Sequence, residues 1–524
     1  MSEADVTVAK VDELADGEMK QVSANGTEIL LARVGGKFYA AGAHCPHYGA
    51  PLAEGALSGE RIVCPWHHSC FNVTTGDLEE PPAFDSLPSY KVTVENDQVI
   101  VSVPEEAQDR RTPEMTERDT KDGRLFVIVG GGAAGYMAAQ TLREDGFAGR
   151  VIMITREDRF PYDRPNLSKD YLQGTAESGW MPLRPDEFYA KHGVEVLRKK
   201  EVARIDAGEK TITFTGGDSM RFDSLLIATG GTPRHLDIPG FDLKNVFLLR
   251  SFDDADAIIA AAQAGSRAVV IGASFIGMET AASLAQRQVS VTVVAPDKVP
   301  FEKTLGPEIG KLIQKAHEAK GVQFKLGSTA ASFEGDGAVR AVLLDSGERI
   351  EADLAIVGVG VKPATDFLEG VELNKDGGVT VDRYFKAADN VYAAGDIAFF
   401  PSPLTGESLR IEHWRTAMQQ GRIAAHNMAG RTVAYDGVPF FWTHQFDIGL
   451  LYVGHAKDWD EVFYQGEISA RDFLAFYIRG DRVLAVAGMN RDQDAAAISE
   501  LMRLDRMPSM AEIKNDEVSF IALL

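Results

Sequence analysis

No cysteine occurs after residue 70 of this 524-residue chain; Cys45, Cys64 and Cys70 are the only three. So few thiols cannot build a disulfide framework, which predicts a reducing compartment. Also missing is any run of about 18 apolar residues, so no membrane-spanning helix is expected. The acidic opening MSEADVTVAKVDELADGEMK has neither the basic start nor the apolar stretch of a secretory signal. Positive charge is in deficit: 54 Lys plus Arg stand against 77 Asp plus Glu, a formal net charge of −23. An excess of that sign repels phosphate backbones and anionic lipids, which argues against nucleic-acid and membrane-surface partners. These absences predict a cytoplasmic protein; its length allows roughly three or four domains, and monomer and homodimer both stay open.

Residues 1–103 alternate in short runs broken by glycine and proline, with strands expected over 27–33, 37–40, 61–64, 91–94 and 99–103. Residues 104–123 are charged, carry two prolines and offer almost nothing to bury, so they read as a solvated linker. If flexible, a segment of that length has a typical reach of about 25 Å, which lets the first domain pack closely or swing. From residue 124 the grammar becomes strand, glycine turn, helix: strands over 125–129 and 151–155 flank a helix over 133–143, and the same unit returns with strands over 267–271 and 289–294 flanking a helix over 276–287. This is doubly wound α/β architecture. From about residue 435 strands and helices mix in an α+β manner.

Cys45-Pro46-His47 is followed after sixteen residues by Cys64-Pro65-Trp66-His67. A cluster with two thiolates on one iron and two imidazoles on the other needs one Cys and one His from each of two loops, and this pair of motifs supplies them. A zinc site from the same four residues is the competing reading, although the C-x-H gap is tighter than usual zinc spacing. The motifs, with Phe71-Asn72-Val73-Thr74-Thr75-Gly76 after them, resemble the Rieske [2Fe–2S] domain. The positions where respiratory members carry a loop-tying disulfide hold Ala50 and Trp66, so the resemblance is to the ferredoxin-like branch, and Ser69 stands where a hydroxyl would donate to a cluster sulfur. His44 and His68 break the spacing and are expected to be bystanders. Cys70 is expected to be a small buried hydrophobe.

Gly130-Gly131-Gly132-Ala133-Ala134-Gly135 closes one strand and opens a helix: Gly130 permits the turn, Gly132 lets amides approach a pyrophosphate, and Gly135 lets helix and strand pack. Gly272-Ala273-Ser274-Phe275-Ile276-Gly277 repeats the pattern with serine in the middle place, and Ala394-Gly395-Asp396 follows a strand over 391–393. Together with the stretches 161–169 (PYDRPNLSK), 228–234 (ATGGTPR), 358–363 (GVGVKP) and 441–443 (FWT), these motifs make residues 124–524 resemble the two-dinucleotide flavoprotein reductases, in the branch of ferredoxin reductases and apoptosis-inducing factor.

The resemblance implies a Rieske domain (1–103), the linker (104–123), an FAD-binding domain in two parts (124–245 and 378–434), an NAD(P)H-binding domain (246–377) and a C-terminal reductase domain (435–524). It implies FAD at the first turn, with Arg164, Thr229, Arg234, Gly395 and Asp396, and NAD(P)H at the second, with Gly360. Lys169 and Glu279 are expected as an ion pair beside the flavin ring, a surface salt bridge being the alternative, and Trp414 or Trp442 as flanks of the ring. The acid that usually holds the FAD adenosine ribose falls, by counting back from Tyr162, on Arg156, with Glu157 next to it. No acid or arginine follows Val294 (Ala295-Pro296-Asp297-Lys298), which leaves NADH or NADPH open with a lean to NADH. The absence of cysteine from 124–524 excludes thiol chemistry in this half. The expected function is electron transfer from NAD(P)H through FAD to the cluster and on to an external acceptor such as a ferredoxin or an oxygenase. The alternative is an NADH-responsive binding protein with little turnover.

Overall fold

The computed structural model describes residues 3–515 and 518–524; the remaining four lie outside it. The N-terminal part is all-β, a six-stranded antiparallel sheet with a smaller four-stranded one. The smaller sheet (Ala56–Ser58, Arg61–Val63, Cys70–Asn72 and Leu78–Glu80) frames two loops. One loop, before Ala56, carries Cys45 and His47; the other, between Val63 and Cys70, carries Cys64 and His67.

Two parallel sheets follow. In the first, strands Val194–Leu197, Arg150–Ile154, Leu125–Val129, Ser224–Ile227 and Val391–Ala393 lie side by side in parallel, with Lys386–Ala388 antiparallel at the edge. Such strands are apolar on both faces because helices cover both; Val127, Ile128, Ile152 and Leu226 are fully buried. The second, also parallel, runs Val246–Leu248, Leu354–Val357, Arg267–Ile271, Ser290–Ala295, Gln323–Leu326. Both glycine turns emerge at the carboxyl ends of central strands, where open α/β sheets bind ligands. The helix Ala133–Glu144 crosses the helix Trp414–Met428 closely because Gly421 has no side chain; a Cβ there would lie 2.1 Å from the Ala134 carbonyl oxygen. An antiparallel five-stranded sheet, starting with Phe440–Gln445, forms the C-terminal part.

The segment 104–123 has no buried residue and is exposed along most of its length, yet it is held in place. Its backbone is taken up on both sides: Arg111 pairs with Ser86, the Thr116 amide donates to the Arg143 carbonyl, and the Asp119 amide to the Ala148 carbonyl. Composition identified the lack of apolar side chains but could not foresee these backbone partners. The first domain is also fastened rather than free to swing. Ala56, Val63 and Cys70 share one apolar core with Phe440, Phe476 and Ile498 of the C-terminal part. Arg184 binds Asp85 at 2.7 and 3.0 Å, with both side chains buried.

Arg415, 2% exposed, reaches into the same interface. Its Nε donates to the carbonyls of His68 and Pro81 at 3.1 Å, and Nη2 donates to Glu80 at 2.5 Å. Gln419 Nε2 donates to the same Glu80 oxygen at 2.6 Å, and Arg61 pairs with the other at 2.6 Å. Burial opposes ionisation of Glu80, but the two guanidinium groups overcome it and hold the carboxyl down to about 2.

Candidate functional site

The two loops bring Cys45, His47, Cys64 and His67 together. His47 Nδ1 and His67 Nδ1 are 3.2 Å apart, and the buried thiols of Cys45 and Cys64 are close enough to perturb each other's ionisation. Burial holds both imidazoles neutral, His47 down to about 3 and His67 well below its ordinary value; a neutral ring is the form that ligates metal. Burial disfavours both thiolates, yet Cys64, the His47 and Tyr48 amides and the Ser69 hydroxyl donate to Cys45 and bring it below the usual thiol range, while Cys64 is pushed up. Among the described residues no three His, Cys, Asp or Glu side chains converge as on a single metal ion. The donors form a thiol pair and an imidazole pair, the grouping that a two-iron cluster with two protein ligands per iron requires.

His44 lies outside this group, paired with Glu28 at 2.5 Å. His68 does too: it is fully buried and stacks on Phe440 at 3.9 Å, so it is an interface residue. Cys70 is buried, its thiol pushed up by burial to about 12.

A cavity of about 580 Å³ runs between the two parallel sheets and the C-terminal part. It is lined by Gly130, Gly132 and Ala133 of the first turn, Ser274 and Phe275 of the second, and Arg156, Glu157, Arg164, Lys169, Thr229, Glu279, Gly360, Gly395, Asp396, Trp414 and Trp442. Gly130 has φ +124°, and a Cβ there would lie 2.0 Å from the Ala228 carbonyl oxygen. A Cβ on Gly132 would meet nothing within 4 Å, so the glycine leaves open space at the end of a helix whose first amides have no side-chain cap. Open space against uncapped amides fits a pyrophosphate.

Four predicted binders do not line the cavity. Gly135 and Gly277 act by packing, with Cβ positions 2.0 and 2.1 Å from the carbonyl oxygens of Gly130 and Gly272. Gly272 itself holds the second turn at φ +113°. Arg234 is turned away: its amide donates to the Gly360 carbonyl and its Nε to that of Val361, so it braces two crossing segments.

Between the two candidates at the ribose position, Arg156 is exposed at the rim. Glu157 is committed inward, accepting from Tyr162 Oη at 2.6 Å and Arg164 Nη2 at 2.8 Å. Asp396 pairs with Arg250 at 2.7 Å. Lys169 Nζ lies 2.8 Å from Glu279 Oε2 with Glu279 only 3% exposed, which removes the surface-salt-bridge alternative. Ser168 and Thr443 donate hydroxyls to the same carboxylate at 2.6 and 2.8 Å.

Several contributors were not nominated from the sequence. Arg250, Glu412 and His413 line the cavity with no motif around them to flag them. Tyr48, next to His47, donates to Asp163 at 2.5 Å across the domain boundary. The contact between the two sites is Trp442, whose ring centroid lies 4.4 Å from that of His67.

The pyridine nucleotide-disulphide oxidoreductase model matches residues 125–421. The chain belongs to that family. The family part is preceded by a match to the Rieske [2Fe-2S] domain over 4–91 and followed by one to the reductase C-terminal domain over 440–524. Apoptosis-inducing factor 3 of Homo sapiens is 37% identical over 522 residues, covering 97% of this chain and 86% of the relative. Within the family, putidaredoxin reductase of Pseudomonas putida is 32% identical over 398 residues, covering 75% and 94%. The solved putidaredoxin reductase–putidaredoxin complex superposes with a TM-score of 0.73 at 30% identity, over 77% of this chain and 98% of that one. As a family member with a Rieske domain, the chain is an NAD(P)H oxidoreductase that uses FAD and a [2Fe–2S] cluster. No helix among the described residues is long and apolar enough to cross a membrane.

Proposed function

We propose that the chain moves electrons from NAD(P)H through FAD to the Rieske cluster held on the same polypeptide, and from there to an external acceptor of the ferredoxin type or an oxygenase. Trp442 carries this reading: its indole walls the dinucleotide cavity and contacts the cluster ligand His67. When bound, FAD takes up a two-electron hydride and releases electrons singly, as a cluster that accepts one at a time requires.

The chain's own residues supply binding, alignment and exclusion of water. Gly130, Gly132 and Ala133 would hold the FAD pyrophosphate at the uncapped helix end, and Asp396 and Arg164 would sit along the rest of the flavin nucleotide. Ser274, Phe275 and Gly360 would receive the nicotinamide nucleotide. Lys169 and Glu279 would face the reactive ring, and Cys45, His47, Cys64 and His67 would hold the cluster. The apolar core that Ala56, Val63 and Cys70 share with Phe440 and Phe476, together with the bonds from Arg415 and Gln419 to Glu80, supports a fixed spacing between the two redox sites.

Replacing His67 with Ala tests the reading. Flavin reduction by NADH should persist while reduction of a protein acceptor collapses; an unchanged protein-acceptor rate would contradict it. The likeness to apoptosis-inducing factor 3 over nearly the whole chain favours a second reading, an NADH-responsive binding protein. Fast steady-state turnover with cytochrome c or ferricyanide selects the first, and a slow, long-lived reduced complex selects the second.

A further inference from the structure

Glu279 stands at the end of a line of buried hydrogen bonds that joins two helices of the nucleotide-binding part to the first strand of the C-terminal sheet. His317, on the helix Glu302–Glu318, contacts Gln445 Oε1 through Nε2 at 2.8 Å. Gln445 Nε2 donates to Thr443 Oγ1 at 2.9 Å, and the Thr443 hydroxyl donates to Glu279 Oε1 at 2.8 Å. All four side chains are buried: His317 and Thr443 have no exposed surface, Gln445 has 1% and Glu279 3%. The directions are fixed by valence. An amide whose NH₂ faces Thr443 turns its oxygen to His317, which makes Nε2 the protonated nitrogen. Every donor in the line therefore points toward Glu279, whose other oxygen takes Ser168 and Lys169.

We propose that Thr443, Gln445 and His317 are positioning residues that fix the Glu279 carboxylate, and through it Lys169, for hydride delivery to the flavin. The inference rests on the reading above that this ion pair faces the reactive ring. A proton-conducting role does not fit, because the line ends at a sealed point. His317 Nδ1 is buried without a hydrogen-bond partner, and Phe446 packs on the ring at 4.9 Å. Burial holds the imidazole neutral, at about 4, so the end of the line stays uncharged at neutral pH.

Three torsions separate the Glu279 carboxylate from its helix, and each oxygen is aimed by what donates to it. Lys169 alone leaves Oε1 unrestrained. Thr443 supplies that second restraint, and Gln445 keeps the hydroxyl from rotating away by occupying its lone pair. Helix, strand and loop are thereby tied at the one point where the nucleotide domain, the C-terminal sheet and the flavin cavity meet.

The experiment compares Thr443→Val, which keeps the shape and removes the hydroxyl, with Thr443→Ser, which keeps the hydroxyl. Flavin bleaching by NADH is followed in single turnover, and the visible flavin spectrum is recorded before mixing. For Thr443→Val the account predicts a limiting reduction rate constant lower by about tenfold, corresponding to one lost hydrogen bond to a charged group. It predicts an altered flavin band shape and little change in the NADH concentration at half-saturation, with Thr443→Ser restoring both rate constant and spectrum. A network that only stabilises the fold predicts a lower melting temperature with native rate constant and spectrum, and that result overturns the proposal. Should Thr443→Val not retain flavin, Gln445→Met takes its place, with a smaller change in the same direction expected and an unaltered rate and spectrum contradicting. The cluster is read separately by electron paramagnetic resonance. A wild-type chain whose flavin is reduced while its cluster never is would sink the transfer reading and leave the Thr443 comparison standing.

Discussion

Glu80→Gln is the perturbation whose size the structure sets most closely. Glu80 belongs to the Rieske domain, and its two oxygens hold Arg61, Arg415 and Gln419. The substitution keeps the shape and removes the charge, leaving two guanidinium groups in a buried place with one partner fewer. Holding Glu80 at about 2 against its ordinary 4.5 corresponds to about 3 kcal/mol. Removing one partner from a buried ion pair costs about 3–5 kcal/mol, which agrees. Because the folded-state value is lowered, this stability is fully present above pH 4.5 and is lost as pH falls from 4.5 toward 2. At pH 7 the variant should therefore melt lower by several degrees, roughly 2–4 °C per kcal/mol for a part of 150–250 residues. Its backbone amides around Leu78–Glu80 should exchange hydrogen faster. Between pH 6 and 9 the difference from wild type should be flat, and it should shrink on acidification below pH 4. An unchanged melting temperature together with unchanged exchange in that strand would refute the claim that the domain is fastened by these charges.

Other outcomes follow from the same geometry. Gly130→Ala must place a methyl group against the Ala228 carbonyl at a φ that side chains rarely adopt, so it should lose flavin on purification and cost about 1–3 kcal/mol, read by flavin-to-protein ratio and thermal melting. Ser69→Ala removes a hydroxyl that donates to Cys45 and should make the cluster potential more negative, measured by redox titration; an unmoved potential would remove Ser69 from the account. Trp442→Leu should slow cluster reduction more than flavin reduction, so the ratio of the two stopped-flow rate constants falls. The first 105 residues hold 6 basic against 16 acidic side chains, so reduction of a basic acceptor protein should slow with rising ionic strength.

The convergence of Cys45, His47, Cys64 and His67 and the two glycine turns were legible in the sequence because short, local spacings set both. Cys45, His47, Cys64 and His67 need two loops of set length, and Gly130 and Gly272 need backbone conformations that few other residues reach. What the sequence hid is contact made across long separations. Nothing near Trp442 announces that it lies against His67, and His317 meets Gln445 from 128 residues away. Arg415 reads as one more charged residue on an amphipathic helix until the carbonyls of His68 and Pro81 are found on its guanidinium. The tethering of 104–123 was hidden for the same reason: backbone bonds such as that from Thr116 to Arg143, and ion pairs such as Arg118 with Glu195, join positions far apart in the chain.

The central claim is that electrons reach the cluster inside one chain, across Trp442 and His67. The most direct measurement is anaerobic rapid-freeze electron paramagnetic resonance of the wild-type protein mixed with NADH at several protein concentrations. The account predicts a reduced Rieske signal that follows flavin reduction with a rate constant independent of protein concentration. A signal that never appears, or one whose rate rises in proportion to concentration, would contradict it.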